Sequence, residues 1–226
     1  MTSKNAIVTV ALSILAVFIG CDKRTAHPNE TTLNSPPVRT ALPGAETPRA
    51  LLNRMYDAVE NNARSSFHAS HTLKGMEREL MDNRFDYLVA QANLRRAAGA
   101  AYGQDAAASL ERVTGGIVFF DTSPFPKAPI EINGDTANAT WTDRQSEHQT
   151  TTYNAPMRRI EGRWFLVSIA KGPLDAETRE WCRKNIHFVQ TATLQLRAIV
   201  QEVRAGSVKV GELDQRVEKV LRSSGT

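Results

Sequence analysis

Two histidines three positions apart are the first residues whose spacing suggests chemistry. His68 and His71 would project from the same side of a helix, and Glu77 follows them closely in the chain. Imidazole and carboxylate groups are common zinc ligands, so this spacing could serve a metal ion. No third ligand stands at a characteristic distance, and two solvated histidines at a helix boundary account for the pattern more simply. We therefore expect neither a metal nor another cofactor.

Cys21 is the second such residue, because it directly follows an apolar run. This run, Ala6 to Gly20, holds 15 residues without a charge. It is shorter than the roughly 20 apolar residues that span a bilayer as a helix, and it is typical of the core of a signal peptide. The sequence from Phe18 to Cys21 reads Phe-Ile-Gly-Cys and resembles the lipobox of bacterial lipoproteins. The resemblance implies cleavage between Gly20 and Cys21 and acylation of the Cys21 thiol.

Such a lipoprotein would be held in the bacterial cell membrane by acyl chains on Cys21, palmitate among them. Its body would lie on the periplasmic or extracytoplasmic side. Two or more chains anchor a protein stably, because each buried methylene contributes about 0.8 kcal/mol. An uncleaved N-terminal anchor and an ordinary signal with an incidental cysteine are the alternatives, and the choice between inner and outer membrane stays open. Cys182 is then the last thiol of the mature chain, and we expect it to be buried on a helix.

The chain of 226 residues divides into segments of different composition. Residues 1–20 form the signal, and residues 21–46 form a flexible tether with four of the ten prolines and no aromatic residue. An α+β body is expected at 47–170, and a helical extension packed on it at 171–226. The whole chain is 41% hydrophobic and 23% charged, a globular composition that excludes long disorder and a multi-span membrane protein.

The net charge of +4 raises the question of a nucleic-acid partner. Residues 22–157 carry 14 basic and 16 acidic side chains, whereas residues 158–226 carry 13 basic and 8 acidic ones. The positive excess therefore lies in the C-terminal part. On an exported lipoprotein, such a surface favours anionic headgroups or an acidic protein, so we expect no nucleic-acid partner.

Apolar residues at helical spacing predict four helices before the first strand. Thr47-Pro48 is typical of a helix start, with threonine as the N-cap and proline at the first helical position. The Asp82-Asn83 pair favours a break between the second helix and the third. The predicted helices cover about 48–62, 72–81, 84–101 and 105–112.

Further along the chain the period changes to that of strands. Asn133-Gly134 and Glu161-Gly162 are typical of two-residue hairpin turns, so the strands beside each turn should pair. The predicted strands cover about 117–120, 129–133, 136–142, 148–157 and 163–169. Apolar groups on both faces of the last strand indicate that helices pack across the sheet.

A long helix is predicted from an Asp175 cap to about residue 205, and a final helix ends near Arg222. Apolar residues on the long helix recur at alternating spacings of four and three, which makes a continuous seam. The seam either packs on the chain's own domain or forms a homodimer through the helix at 175–205. The predicted fold class is α+β: N-terminal helices packed on a curved antiparallel meander of four or five strands, followed by a long and a short helix.

Two segments of the predicted meander resemble the nuclear-transport-factor-2-like superfamily, which includes polyketide cyclases and ketosteroid isomerases. They are the stretch from Ile132 to Ala137 and the closing hairpin from Pro156 to Val167. The resemblance covers about residues 48–170 and implies a curved sheet that wraps around helices and leaves a conical pocket. It does not imply one function, because the superfamily contains isomerases, cyclases and dehydratases as well as catalytically silent binding and assembly modules.

An isomerase or cyclase on such a fold would place an acid or base and a hydrogen-bond donor in an apolar pocket. The chain offers groups of these types, but no motif gives any of them a role: Asp57, Asp86, Tyr87, Trp141, Asp143, His148 and Tyr153. Motifs of zinc hydrolases, serine hydrolases, phosphate loops and dinucleotide sites are absent from the sequence, so we expect no catalytic residue. The candidates for lining a ligand pocket are Tyr56, Tyr87, Trp141 and Tyr153.

The function that these features favour is a non-enzymatic module of the bacterial envelope. Its partner would be a small apolar ligand or another envelope protein, in addition to the lipid bilayer. A pocket enzyme of isomerase or cyclase type and a self-assembling structural lipoprotein are the alternatives.

Overall fold

The computed structural model describes residues 42–115, 124–146, 149–168 and 172–223. Its elements in this part of the chain are α1 (Pro48–Glu60), α2 (Arg64–His68), α3 (Gly75–Tyr102), α4 (Gln104–Gly115), β1 (Ile130–Asn133), β2 (Thr136–Ser146), β3 (Gln149–Ile160), β4 (Arg163–Leu166), α5 (Ala176–Arg204) and α6 (Val210–Ser223). Helices precede an antiparallel sheet, and a long and a short helix follow it. The predicted α+β fold class is therefore confirmed.

The sheet is a meander in the order β1-β2-β3-β4. β2 and β3 pair from Thr136–Arg158 to Ser146–Gln149, so they form a long hairpin. β1 pairs only with residues 136–139 of β2, and β4 only with residues 157–160 of β3. The two short strands thus flank one end of the hairpin, and the first part of β3 extends beyond β4. The predicted strand at 117–120 lies outside the described residues.

Both predicted hairpins are confirmed, but the first turn consists of Gly134 and Asp135 rather than Asn133 and Gly134. Glu161 and Gly162 connect β3 to β4 with φ of 50° and 78°, the two positive angles that a type I′ turn requires. At the other turn Asn133 pairs with Thr136, and Gly134 has a φ of 57°. Because these turns are short and follow the twist of the strands, they set the register of the sheet.

The predicted helix break at Asp82-Asn83 is wrong, because α3 runs without interruption from Gly75 to Tyr102. The polar side chains that suggested the break are used on the helix surface. The Asn83 amide donates to the backbone carbonyl of Glu79 at 2.8 Å, and Asp82 Oδ1 lies 2.8 Å from His68 Nε2. The apolar side chains on both sides of this point pack in continuous cores, which outweighs the weak local preference for a turn.

The first helix begins as the sequence predicts. Pro48 occupies its first turn, and the Thr47 hydroxyl accepts a hydrogen bond from the Ala50 N–H at 3.1 Å. The folded body nevertheless starts earlier, within the segment predicted as the tether. Ala45 is buried and exchanges two backbone hydrogen bonds with Trp164 of β4, of 2.9 and 2.7 Å.

Apolar side chains form two large clusters that share α3. The first, here called the sheet core, joins α1, α2, the first half of α3 and the inner face of the sheet; its larger members are Leu51, Leu52, Met55, Phe67, Phe85, Leu88, Trp141, Met157, Trp164 and Leu166. The second, here called the helical core, joins the second half of α3 to α4, α5 and α6; its larger members are Tyr87, Leu94, Leu110, Val189, Leu196, Val200, Leu213 and Val217.

From Val189 onward the seam predicted on α5 lies in this helical core, whereas Cys182 and Ile186 pack with Leu80 in a separate small cluster. Val189, Leu196 and Val200 are buried against residues of α3 and α6, whereas Leu194 on the opposite side of α5 is 68% exposed. A homodimer through α5 stays a prediction, and it would have to use the exposed side of the helix. None of the helices in the described part of the chain combines the length and apolar character needed to cross a membrane.

Candidate ligand-binding cleft

A cleft of about 590 Å³ opens where three parts of the fold meet. The first half of α3 forms one wall, and the start of α5 forms the opposite one. The part of β3 that extends beyond β4, together with the residues that follow β4, closes the third side. The cleft therefore exists because β4 is short and leaves space between the sheet and the two helices.

Most of the wall is apolar. The side chains that provide this surface are Leu73, Leu80, Met81, Tyr153, Pro156, Leu166, Val167, Leu174, Trp181 and Cys182. Leu80 and Cys182 also form a small buried cluster with Ile186, which holds α3 and α5 together beside the cleft. Trp181 lines the cleft and is 42% exposed.

Arg84 is the charged group that is most deeply buried in the cleft wall. It follows Leu80 by four residues and precedes Leu88 by four, so it lies within the apolar stripe of α3. Its residue is only 8% exposed, and its guanidinium carbon lies 5.6 Å from the centre of the Trp181 ring, within the range of a cation–π contact. Burial lowers the pKa of Arg84 from 12.5 to about 10, so the side chain is still positively charged at neutral pH.

The other polar side chains of the cleft are less buried. Ser168 Oγ donates a hydrogen bond of 2.5 Å to Glu77 Oε1, so the one carboxylate among the described lining residues is engaged at one end of the cleft. Thr152, Asn154 and Thr178 supply further hydroxyl and amide groups. The cleft thus combines an apolar surface with a few polar groups at fixed places, which is the usual design of a small-molecule site.

Cys182 is buried on α5, as the sequence predicts. Burial raises the pKa of its thiol, and the positive charge of Arg84 only partly opposes this effect. Because the thiolate is the reactive form, Cys182 contributes a neutral, apolar surface to the cleft.

The histidine pair lies beside the sheet core. His71 is only 8% exposed, so the prediction of two solvated histidines is wrong for this residue. Neither of its ring nitrogens has a hydrogen-bond partner among the described residues, and its ring meets Phe67 edge-on at 5.9 Å. Burial, together with the nearby His68, lowers the pKa of His71 to about 4. Among the described residues, no group of three or more acidic, histidine or cysteine side chains is placed to hold a metal ion.

The four aromatic residues predicted to line a pocket are dispersed. Tyr153 lines the cleft, and Trp141 stacks on it from within the sheet core at 5.7 Å. Tyr87 is fully buried in the helical core, where its hydroxyl accepts a hydrogen bond from Gln91 at 2.9 Å. Tyr56 is half-buried on α1 and does not belong to the cleft wall.

The candidate acid–base groups do not meet in the cleft. Asp57 is exposed on α1, and Asp86 pairs with Arg64 and Arg197 on the surface. The Asp143 side chain and His148 lie outside the described residues. Gly20 and Cys21 also fall outside the described ranges, so the predicted cleavage and lipidation stay predictions.

Sequence reasoning missed Arg84 and Trp181 as residues of a site. The available signal was the position of Arg84, because an arginine on the apolar face of a helix is exceptional unless it meets a partner or a ligand. Trp181 gave no such signal, since it stands one position before the apolar seam of α5.

No family model, curated protein or solved structure matches this chain.

Proposed function

We propose that this chain is a lipid-anchored protein of the bacterial envelope whose body is a non-enzymatic module that binds a small molecule. The observation that carries the proposal is the cleft of about 590 Å³ between α3, β3 and α5, with its mainly apolar wall. Its volume falls within the range of about 300 to 1,000 Å³ that is typical of ligand sites.

Binding is favoured over catalysis by the state of the groups in the cleft. General acid–base catalysis works best with a pKa near the working pH. Arg84 stays protonated at neutral pH, and burial raises the pKa of the Cys182 thiol. The Glu77 carboxylate accepts a hydrogen bond from the Ser168 hydroxyl, which holds it in place at one end of the cleft. None of these three groups is arranged as an acid or base for a substrate in the cleft.

The order of the elements supports the resemblance to the nuclear-transport-factor-2-like superfamily. Helices precede an antiparallel meander, as the resemblance implies, and α5 and α6 are additional. We propose this membership, and the superfamily includes binding modules without catalytic activity.

A matched pair of substitutions tests whether the cleft binds a ligand. Thr178 lines the cleft from α5, whereas Glu180 on the same helix is exposed and does not line it. A neutral apolar dye such as N-phenylnaphthylamine should gain fluorescence with the parent chain and with Glu180→Trp, because both leave the cleft open. It should not do so with Thr178→Trp, whose indole fills the cleft. Equal dye binding by both variants, or no binding by the parent, would contradict the proposal.

The anchor has its own experiment. Cells that express the parent chain and are fed labelled palmitate should incorporate the label, and the protein should fractionate with membranes. Cys21→Ser should abolish labelling and leave an uncleaved or soluble product, because the thiol is the acylated group. If the variant is labelled and fractionates like the parent, the lipoprotein assignment is wrong.

A further inference from the structure

The edge of β3 that faces away from β2 runs along the cleft. Three consecutive residues of this strand, Thr152, Tyr153 and Asn154, line the cleft. Side chains of a strand alternate between its two faces, so a pocket over one face would be lined by every second residue only. The cleft therefore lies beside the edge of the sheet, in the direction in which backbone N–H and C=O groups point.

The register of the sheet shows which backbone groups of β3 face this edge. The Arg159 N–H donates to the Asp135 carbonyl at 2.7 Å, so the odd-numbered residues of β3 direct their backbone groups toward β2. The even-numbered residues direct theirs the opposite way. On that side the Pro156 carbonyl accepts the Val167 N–H at 3.0 Å, one residue after β4 ends.

The next two residues on this side are Asn154 and Thr152. In the described part of the chain no strand pairs with β3 here beyond Met157, and both residues are exposed. Such an edge is a template for another strand, and native proteins usually protect it with a proline or a charged side chain. Neither Asn154 nor Thr152 is of these types, so their backbone groups are available for pairing.

An extended peptide has the groups that match this edge. Its backbone repeats an N–H and a C=O on one side at every second residue, with the spacing that neighbouring strands share. A peptide that continued the course of β4, antiparallel to β3, would pair its first residue with Asn154 and its third with Thr152. Strand addition of this type gains affinity from main-chain hydrogen bonds and specificity from alternate side chains.

The second side chain of the peptide would point to the inner face of the sheet. It would lie opposite Tyr153, on the face where the next odd-numbered residue, Ala155, is buried. On this side α3 contributes Leu80 and Met81 to the cleft wall. An apolar second residue fits this position, whereas the first and third side chains would point to the outer face.

The charge at the β4 end of the cleft favours a free amino terminus. The Ser168 hydroxyl, two residues after β4, donates to Glu77 Oε1 at 2.5 Å. This carboxylate therefore lies at the end where an antiparallel peptide would begin. The α-ammonium group of a peptide is mainly protonated at neutral pH, so the two charges are complementary.

We infer that the cleft binds the amino-terminal end of a short peptide, which adds as an antiparallel strand to the edge of β3 and places an apolar second side chain between the sheet and α3. The inference rests on the proposed function, because it names the ligand class of the same cleft.

The test begins with tripeptides that differ in one feature each. Ala-Leu-Ala amide is titrated by calorimetry into the full chain carrying Cys21→Ser, so that no detergent competes for the cleft. Leu-Ala-Ala amide has the same composition and should bind about tenfold more weakly, because its leucine would face outward. The N-acetylated form of Ala-Leu-Ala amide should also bind more weakly. Glu77→Gln should weaken binding of the free peptide and leave that of the acetylated one unchanged.

A matched pair of esters tests the backbone hydrogen bonds. An ester oxygen in place of the third N–H removes the donor to the Thr152 carbonyl and should lower the affinity about tenfold. The same replacement at the second N–H should have a clearly smaller effect, because that group points away from β3.

Substitutions at Asn154 test the same bonds from the side of the protein. Asn154→Pro removes the N–H that would donate to the first residue of the peptide and should lower its affinity, whereas Asn154→Ala keeps this N–H and should not. N-phenylnaphthylamine should bind to both variants, since the cleft stays open. If Asn154→Pro does not fold, the pair of esters still decides the inference.

The outcomes separate this inference from the proposed function. Binding of the dye without binding of Ala-Leu-Ala amide would overturn the peptide and leave the cleft as a binding site. Equal affinity for the two esters, or for Ala-Leu-Ala and Leu-Ala-Ala amides, would overturn the addition of a strand in this register. Peptide binding that Thr178→Trp does not reduce would place the peptide elsewhere and overturn the inference, and the absence of both peptide and dye binding would overturn both statements.

Discussion

The sheet core and the helical core treat their buried polar groups differently. In the helical core, the Gln91 amide donates a hydrogen bond to the Tyr87 hydroxyl one turn earlier on α3. The Thr193 hydroxyl likewise donates to the Val189 carbonyl on α5. Each of these groups is satisfied within its own helix, whatever packs against it. On the sheet side, His71 has no hydrogen-bond partner for its ring nitrogens among the described residues, and Arg84 carries a charge into the cleft wall.

A buried polar group with a local partner costs little, whereas buried polar atoms without one, such as the ring nitrogens of His71, reduce stability. The helical core therefore stabilises the fold without such a loss, whereas the sheet side, which contains the cleft, gives up some free energy of unfolding. The cleft lies on the sheet side, which is also where the unpartnered ring nitrogens of His71 are buried. Because α3 runs through both cores, we expect the helical core to stabilise the helix that holds Arg84 in position.

The largest expected effect concerns the helical core. Leu196 on α5 is fully buried among residues of α3 and α6, so Leu196→Ala should lower the free energy of unfolding by about 3 kcal/mol through the cavity it leaves. Because Leu196 does not line the cleft, ligand binding by the folded variant should equal that of the parent chain. Urea denaturation, followed by tryptophan fluorescence and by circular dichroism, measures the loss.

The matched control for Leu196→Ala stands two residues away on the same helix. Leu194 is 68% exposed, so Leu194→Ala should change the free energy of unfolding very little. All three tryptophans lie outside the helical core, at 141, 164 and 181, whereas circular dichroism reports mainly the helices. If Leu196→Ala shifted only the dichroism transition, the two cores would unfold separately, and the idea that α3 couples them would be wrong.

A second prediction concerns acid and the sheet core. The pKa of His71 is lowered from 6.5 to about 4, so below pH 6.5 the unfolded chain takes up a proton that the folded chain does not. The free energy of unfolding should therefore fall as the pH is lowered from about 6.5 to about 4, by about 3 kcal/mol from this group. Nearby His68 and Arg78 strengthen the effect, and Asp82 opposes it.

Substitution isolates the contribution of His71. His71→Leu should remove this part of the pH dependence, which urea denaturation between pH 4 and pH 7 would measure. His187→Leu is the control, because that histidine is exposed on α5 in the helical region. If the free energy of unfolding of His71→Leu depended on pH as that of the parent does, protonation of His71 would not be the cause of the acid sensitivity of the sheet core.

A third, smaller effect is expected where the chain before α1 pairs with the sheet. Gly44 has a φ of +68°, and an added Cβ would lie 2.6 Å from Phe165 Cζ and 2.8 Å from the Trp164 carbonyl oxygen. Gly44→Ala should therefore cost about 2 kcal/mol of stability, through backbone strain and crowding together. At Gly134 the φ is +57° but no atom lies within 4 Å, so Gly134→Ala should cost only about 1 kcal/mol. Thermal unfolding would show the difference, and equal losses would rule out crowding at Gly44.

The smallest effect concerns the cap of α1, also on the sheet side. Thr47→Ala removes the hydroxyl that accepts the Ala50 N–H and should lower the free energy of unfolding by about 1 kcal/mol. Thr47→Ser keeps a hydroxyl and should retain most of the stability. Urea denaturation of the two variants tests this, and a loss of the same size in Thr47→Ser would show that the hydroxyl is not what matters.

The fold was predictable where a few neighbouring residues decide the conformation. Thr47-Pro48 marked the start of α1, and Glu161-Gly162 marked a hairpin that the structure contains. The continuity of α3 was not predictable in the same way, because Asp82 and Asn83 have a local preference for a turn. Packing on two cores overrides that preference, and packing depends on residues far away in the chain.

The site was less predictable than the fold. Of the four aromatic candidates, Tyr153 lies in the wall of the cleft, whereas Tyr56, Tyr87 and Trp141 have other surroundings. An aromatic residue in a strand or helix faces either a pocket or a core, and its neighbours in the sequence do not distinguish the two. Arg84 was missed because a lone arginine between apolar residues is ordinarily taken to be solvent-exposed.

The sequence by itself determined that helices precede an antiparallel meander and that two helices follow it, and it located the two hairpins, since these features depend mainly on residues close in the chain. Only the tertiary structure decided which faces meet, that α3 serves both cores, and that Arg84 of α3 comes to lie against Trp181 of α5. The physical reason is that the cleft consists of space left between segments as distant as Leu73 and Cys182. Local preferences fix the shape of each segment but not the space that remains between segments when they pack.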